Sequence, residues 1–445
     1  MDISREVRWT VAARLDRLPI TAFHRQVTWV LGFVFFAELG GVNAFSFAAP
    51  AVMKLWNISI STVSFIVSAT FIGMFVGATT GGWFSDRVGR KKALIIMTVG
   101  FSIFSLLNSV AWTTAGLLIA RLLTGVGLSA MTVIGITYVS EVFPANRRGE
   151  YQGWIMTIGL IGVPVTAYVA RFCIPIAPWG WRLIFVWGAL GLLFPVFANR
   201  LEESPRWYEN RGNWMEADAV LDRLESRALV EFETLPPITD GVPADTVCAG
   251  YADLFAPAYL ARTIMLVAIW ICQTLGFYGF TAWVPTLLVA HGFSLVHSLA
   301  WSSVMWIGAV PGALIAALIS DRWQRRWWIA IFALIIACCG LLYGTTFRAH
   351  TIIVFGFLVA MFMQTFAPML YAYTAECYPT QIRNSGTGLA YGAGRFSNAF
   401  GPLVVAFLFS HFGYTSVFVY IASTWLVVAI TIGGFGPLTN GQTLP

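Results

Sequence analysis

Long apolar segments with few charges fill most of this chain and restrict what it can fold into. Each is long enough for a helix to cross the apolar core of a bilayer, which is about 30 Å thick. Only 11% of the 445 residues are charged, whereas a soluble domain has about 25%. We therefore expect an all-α polytopic membrane protein with twelve transmembrane helices. The predicted spans are 27–50, 62–83, 92–111, 115–141, 151–173, 181–199, 263–289, 298–319, 327–345, 350–376, 386–410 and 415–435.

Basic side chains are concentrated in every second connection between the predicted spans. The net charge of +6 is in principle compatible with a nucleic-acid partner. However, the intervening connections hold only Lys54, Arg182 and Arg348, and this alternation is the positive-inside rule of membrane proteins. It predicts that both termini are cytoplasmic, and it gives no support for nucleic-acid binding. We expect the protein to lie in a bacterial inner membrane.

The spans fall into two halves of six, and the halves repeat. "GGWFSDRVGRKK" between spans two and three corresponds to "ALISDRWQRRWW" between spans eight and nine. Two related six-helix bundles of this kind hold a substrate site between them near the middle of the membrane. The predicted segments are a cytoplasmic N-terminal segment 1–26, a bundle 27–199, a cytoplasmic linker 200–262 with short surface helices, a second bundle 263–435 and a tail 436–445.

Several connections resemble those of the major facilitator superfamily. The run Asp86-Arg87-Val88-Gly89-Arg90-Lys91 is similar to its signature loop, and "EESPRWY" at 202–208 resembles the sugar porter and organic-ion branches. "RLDRLPITAFHRQ" at 14–26 is similar to the start of nicotinate- and aromatic-acid-type permeases. The resemblance implies a major facilitator fold of two pseudo-symmetric bundles that transports by alternating access. It also implies a monomer that needs no cofactor.

The charged motif residues are expected to form a latch at the cytoplasmic face. Gly73 and Gly82 would let helix two approach a neighbour closely, and Gly89 would permit the turn that follows. The resemblance implies that the acid of the signature loop meets the start of helix eleven and that its arginines meet the acid ending helix four. Alternatively, these charges only anchor the loops. The predicted residues are Gly82, Asp86, Arg87, Gly89, Arg90, Glu141 and Arg148, with a weaker copy at Asp321, Arg322, Glu376 and Arg383.

Glu38 is an acid in the middle of the first span. It lies eleven residues past Val27, which is about 16 Å into the apolar core. An ionised side chain there costs about 2.5–3.5 kcal/mol, so it normally faces a cavity or a partner. Resemblance to sugar/proton symporters implies that Arg121 is this partner. Aligning the halves places Gln273 opposite Glu38 and Gly356 opposite Arg121, and this favours proton coupling over a purely structural ion pair.

Arg395 is a second charge at depth, nine residues past Gly386, or about 13 Å. The second half has no intramembrane acid to neutralise it, and the planar guanidinium suits a carboxylate ligand. The alternative is a side chain that bonds backbone carbonyls or snorkels to the interface. Polar and aromatic groups of spans seven and ten are expected to complete a substrate site: Gln273, Tyr278, Gln364, Tyr371 and Tyr373.

These features predict a proton-coupled symporter for a small organic anion, such as an aromatic or pyridine carboxylate. Its expected partners are a small-molecule substrate, a proton and the lipid bilayer. The main alternative is symport of a neutral sugar or polyol. Two further alternatives are an efflux antiporter and a receptor that does not transport. An enzyme is not expected, because the sequence shows no nucleophile–base set, phosphate-binding glycine loop or metal cluster.

Overall fold

The computed structural model describes residues 10–238, 251–319, 322–379 and 382–439, and within these ranges every regular element is helical. The first half contains α1 (Val11–Asp16), α2 (Ala22–Trp56), α3 (Ile60–Val88), α4 (Arg90–Ser109), α5 (Thr114–Val142), α6 (Arg148–Leu160), α7 (Gly162–Cys173), α8 (Trp181–Trp187) and α9 (Phe194–Ala198). α10 (Pro205–Asn210) and α11 (Trp214–Glu231) follow. The second half contains α12 (Pro257–Thr281), α13 (Val284–Ala290), α14 (Leu295–Ile307), α15 (Ala309–Ile319), α16 (Arg325–Thr345), α17 (Ala349–Glu376), α18 (Arg383–Ser397), α19 (Gly401–Phe412) and α20 (Tyr414–Phe435).

These helices make the twelve predicted membrane crossings, and the fold class is confirmed. In the described part of the chain, 11 helical stretches are long and apolar enough to span a membrane. The remaining crossing consists of α18 and α19 and is interrupted at residues 398–400. Pro402 lies in the first turn of α19, where the missing N–H of a proline is tolerated. The predicted span 386–410 is therefore two half-helices, and the first of them is polar.

The two bundles meet mainly at one end of the molecule. We call the end that carries residues 86–91, 143–147 and 200–235 the motif face. Near the opposite face, buried apolar residues of both bundles form one continuous core, and α7 contacts α14, α2 contacts α13 and α3 contacts α19. Near the motif face, the N-terminal bundle has a separate core that it shares with α1 and α11. The space between the bundles therefore opens toward the motif face.

A collar of α1, α10 and α11 packs on the motif face of the N-terminal bundle. Arg14 of α1 donates to both carboxylate oxygens of Glu225, from Nε at 3.0 Å and from Nη2 at 2.9 Å. Burial alone raises the pKa of Glu225, but hydrogen bonds from Arg14 and Arg17 outweigh it, so the pKa lies below its usual value. These hydrogen bonds stabilise the folded protein fully at pH values above the unfolded pKa of about 4.3. Their contribution is lost as the pH falls through the lower pKa of the folded state.

Small residues let α3 lie against α5. A Cβ at Gly73 would lie 2.0 Å from a carbonyl oxygen of α5, and one at Gly77 would lie 2.1 Å from the carbonyl oxygen of Val126. Gly81 makes a third close contact, one turn further along the same face of α3. The prediction that Gly82 packs in this way is wrong, because a Cβ there would meet nothing within 4 Å. The next residue along a helix points about 100° away from the packed face.

Adding a methyl group to one of these glycines tests the α3–α5 contact. We expect Gly77→Ala to lower the free energy of unfolding by about 1–3 kcal/mol, because the methyl group overpacks a backbone contact. Gly82→Ala is the matched control and should be at least as stable as the wild type, because nothing opposes its methyl group and alanine favours the helix over glycine. Thermal unfolding in detergent measures both variants. Equal stability of Gly77→Ala and the wild type would contradict this account of the packing.

Candidate functional site

Arg395 lies between the two bundles and is held by tyrosines. Its Nε donates to the hydroxyl of Tyr391 at 2.7 Å, and its Nη1 donates to the hydroxyl of Tyr278 at 3.1 Å. The guanidinium carbon lies 5.0 Å from the ring centroid of Tyr391 and 5.9 Å from that of Tyr278. Among the described residues, no carboxylate forms an ion pair with Arg395. The positive charge is therefore solvated by neutral groups and keeps its attraction for an anion.

Aromatic side chains form the wall around this arginine. Trp270 of α12 lies edge-on to Tyr371 at 4.8 Å and to Tyr391 at 5.2 Å between ring centroids. The indole of Trp270 donates to the hydroxyl of Thr374 at 3.0 Å, which fixes the ring. Tyr371 remains 45% exposed although its neighbours are interior residues, so it lines a solvent-accessible space. We call Arg395, Tyr278, Tyr371, Tyr391 and Trp270 the Arg395 site.

Glu38 faces this site from the N-terminal bundle. It is 4% exposed in α2, lies beside the hydroxyl of Thr132, and interacts electrostatically with Arg395 and Tyr278 of the other bundle. The two bundles touch here, because the ring of Phe71 in α3 lies 4.8 Å from that of Tyr278. Within the described ranges Glu38 forms no ion pair. A carboxyl group of one bundle and a guanidinium of the other thus interact electrostatically across the boundary between the bundles.

The predicted ion pair between Glu38 and Arg121 is not formed. Arg121 is 2% exposed and donates from Nε to the hydroxyl of Thr70 at 3.0 Å. Its other nitrogens reach the carbonyl oxygens of Gly41 at 3.5 Å and Val42 at 3.4 Å. These carbonyls lie three and four residues beyond Glu38 along α2, or about 5 Å closer to the opposite face. Among the described residues Arg121 therefore forms no ion pair, and its donors are directed at Thr70 and at carbonyl oxygens beyond Glu38.

Three other predicted substrate residues have different surroundings. Tyr373 is fully buried and donates to the carbonyl oxygen of Pro437 at 2.9 Å, so its assignment to the site is wrong. Residues two apart on a helix point about 200° apart, and Tyr371 takes the side that faces the site. Gln273 is buried and accepts from the Thr274 hydroxyl at 3.1 Å. Gln364 is half-buried, and its Cβ packs near Gly312 of α15. The roles of Gln273 and Gln364 in substrate binding stay predictions.

Sequence reasoning missed Tyr391 and Trp270. Tyr391 precedes Arg395 by four residues, and residues at this spacing are neighbours on one helix face, so a signal was present. Trp270 lies near the middle of α12, whereas most tryptophans of membrane proteins lie at the interfaces. Its depth is the signal that distinguishes it.

The first-half motif forms a network within one bundle. Arg90 donates to Asp86 at 2.6 Å and to Glu141 at 2.9 Å, so the predicted contact between a signature arginine and the acid ending helix four is present. Asp86 pairs with Arg90 of its own bundle, and within the described ranges it makes no ion pair with the start of helix eleven. The guanidinium of Arg87 lies 4.2 Å from the ring centroid of Trp83. In the part of the chain that the structure describes, the ion pairs of this network lie within the N-terminal bundle.

Two further motif residues lie at helix ends. Gly89 joins α3 to α4 with φ of 106°, a value that L side chains rarely adopt, as predicted for a turn glycine. A Cβ there would also lie 2.5 Å from a carboxylate oxygen of Glu203. Arg148 is the first residue of α6 and is exposed.

The second-half copy uses an arginine that the prediction omitted. Glu376 at the end of α17 pairs with Arg325, which the repeat places opposite Arg90. The predicted Arg322 is exposed, and Asp321 lies outside the described residues. Arg383 begins α18, and its Nε donates to the carbonyl oxygen of Tyr378 at 3.4 Å.

Separate alanine variants test this reassignment. We expect Arg325→Ala to lower the free energy of unfolding by about 1–3 kcal/mol, because the mostly buried Glu376 loses its charged partner. Arg322→Ala should have little effect, because the side chain is exposed. Thermal unfolding in detergent compares the two variants. A larger loss for Arg322→Ala would show that the pairing is assigned to the wrong arginine.

Comparisons with known proteins identify the family. The sequence model described as "Sugar (and other) transporter" matches residues 21–445. A protein of Bacillus subtilis named for metabolite transport, YyaJ, is 48% identical over 97% of this chain and 96% of its own. The niacin transporter NiaP of Acinetobacter baylyi is 30% identical over 98% of each chain.

A solved structure has the same fold. The xylose transporter XylE from E. coli, in a partially occluded inward open conformation, superimposes with a TM-score of 0.77 over 95% of this chain and 100% of its own. It is 19% identical in sequence. The chain belongs to the sugar (and other) transporter family, has the major facilitator fold and is an integral membrane transporter, not an enzyme.

Proposed function

We propose that this transporter carries a small aromatic or pyridine carboxylate together with protons. The observation that carries the proposal is Arg395, a charge between the bundles whose hydrogen-bond partners among the described residues are neutral hydroxyls. A carboxylate matches the guanidinium, and an attached ring suits the aromatic walls. Similarity to a niacin transporter supports this choice, because niacin is a pyridine carboxylic acid.

Neutral and cationic substrates fit the site less well. A sugar or polyol needs no charged partner. A charge in the middle of the membrane is costly, so a charged residue there normally marks a functional site. A cation would be repelled by Arg395, and the aromatic faces of Tyr278 and Tyr391 that could bind it already pack on the guanidinium. Sugar symport is therefore the weaker proposal.

The interaction of Glu38 with Arg395 supports proton coupling. When a carboxylate neutralises Arg395, an ionised Glu38 would remain as an uncompensated charge. Closing the bundles around that charge is costly, so a proton on Glu38 favours the closed, loaded state. One proton carried on Glu38 with one carboxylate moves no net charge, so the pH gradient across the membrane drives accumulation, at about 1.4 kcal/mol per pH unit.

The proposed orientation uses the distribution of basic residues. The motif face is rich in arginine and lysine, so the positive-inside rule places it in the cytoplasm. The conformation described above is then inward-facing, and both termini and the linker at 200–262 lie in the cytoplasm. We further propose that the protein works as a monomer in a bacterial inner membrane, because the transport pathway runs between the two bundles of one chain.

Uptake into proteoliposomes with a panel of labelled carboxylates and sugars tests the substrate class. We expect nicotinate or benzoate to be taken up and neutral sugars not to be. Arg395→Ala should weaken carboxylate binding about ten- to a hundredfold, the effect of losing a hydrogen-bonded charge pair. Arg348→Ala, which removes an exposed arginine at the start of α17, is the control. Carboxylate uptake by Arg395→Ala with an unchanged KM would overturn the assignment.

The coupling role of Glu38 is tested by comparing two transport modes. Glu38→Gln mimics the protonated acid, so we expect uptake driven by a proton gradient to be lost and exchange of substrate across the membrane to continue. Glu150→Gln removes an exposed acid of the motif face that pairs with Arg147, and it should behave as the wild type. Gradient-driven accumulation by Glu38→Gln at the wild-type level would rule out this residue as the coupling group.

A further inference from the structure

We infer that Tyr391 is a positioning residue that fixes the guanidinium of Arg395, so that a substrate carboxylate meets only the end formed by Nη1 and Nη2. The inference rests on the proposed function and goes one step further. It explains how the site would favour an anion with a planar group over one with a tetrahedral group.

The donors of Arg395 are unequally available. A guanidinium has five N–H donors, of which the Tyr391 hydroxyl takes the one on Nε at 2.7 Å and the Tyr278 hydroxyl takes one on Nη1 at 3.1 Å. The three that remain belong to Nη1 and Nη2. An anion that approaches from the side needs Nε together with Nη2, and Tyr391 occupies that edge. A planar carboxylate can still accept two parallel hydrogen bonds at the end of the group.

The position of Tyr391 is set within the C-terminal bundle. It lies one turn before Arg395 on α18, and its ring packs against Trp270 at 5.2 Å and Tyr371 at 5.8 Å between centroids. Trp270 is itself fixed by its hydrogen bond to Thr374. Tyr278, in contrast, also contacts Phe71 of the other bundle. Tyr391 therefore orients the guanidinium through contacts within one rigid unit, and such preorganisation strengthens binding.

A purely structural role makes a different prediction. If the Tyr391 hydroxyl only compensated the buried charge, its loss would lower the stability of the protein and leave the choice of substrate unchanged. If it positions the guanidinium, its loss lets the group rotate and offer Nε to ligands. The affinity for planar carboxylates would then fall, and tetrahedral anions would compete better.

The test is Tyr391→Phe, which keeps the ring and removes the hydroxyl. In counterflow assays with labelled nicotinate we expect KM to rise about tenfold, as for the loss of one charged hydrogen bond, while the maximal rate stays near that of the wild type. Inhibition by pyridine-3-sulfonate, which has a tetrahedral anionic group, should strengthen relative to inhibition by unlabelled nicotinate. Tyr373→Phe loses a buried hydroxyl outside the site and should change neither value.

The possible outcomes separate this inference from the proposed function. If the wild type takes up no ring carboxylate, the proposed function fails and the inference fails with it. If the wild type does so and Tyr391→Phe keeps the wild-type KM and the wild-type preference for nicotinate over the sulfonate, only the inference is overturned. Thermal unfolding verifies that Tyr391→Phe is folded. If it is not folded, Thr374→Val removes the hydroxyl that fixes Trp270, the ring against which Tyr391 packs; it should shift KM and selectivity in the same directions, and no shift would overturn the inference.

Discussion

A positive charge in the apolar middle of the membrane must be compensated, and here hydroxyl groups do this instead of a carboxylate. Tyr278 and Tyr391 accept from Arg395, and Glu38 interacts with the arginine from the other bundle without forming an ion pair to any described residue. The net charge between the bundles therefore depends on two events, the entry of an anion and the titration of one acid. Because Glu38 interacts electrostatically with Arg395, the two events can influence each other.

The charged networks near the motif face hold each bundle together separately. Arg90 joins Asp86 and Glu141 within the N-terminal bundle, the collar is fastened to the same bundle, and Arg325 joins Glu376 within the other bundle. The apolar core, in contrast, is continuous between the bundles near the opposite face. This arrangement is suited to alternating access, in which one rigid bundle rocks against the other around a central site.

Much of this fold was predictable from the sequence because the membrane imposes it. Apolar length marks the crossings, and charges such as Glu38 and Arg395 stand out within apolar spans. The predictions that failed depend on how each helix is rotated about its axis and on its height relative to its neighbours, which composition does not encode. Arg121 binds carbonyl oxygens one helical turn beyond its predicted partner Glu38. A rotation of about 100° removes Gly82 from the α3–α5 contact. Tyr373 points away from the side of its helix that Tyr371 occupies. Tyr391 carried a signal that the prediction did not use, because it precedes Arg395 by four residues and so lies on the same helix face.

The central claim is that anion binding at Arg395 and protonation of Glu38 are linked. Proton uptake by the detergent-solubilised protein, followed with a pH indicator in weakly buffered solution near neutral pH, measures this link directly when nicotinate is added. The account predicts that the wild type takes up protons as it binds the carboxylate and that Glu38→Gln binds it without proton uptake. Carboxylate binding by the wild type without proton uptake, or equal uptake by both proteins, would contradict it.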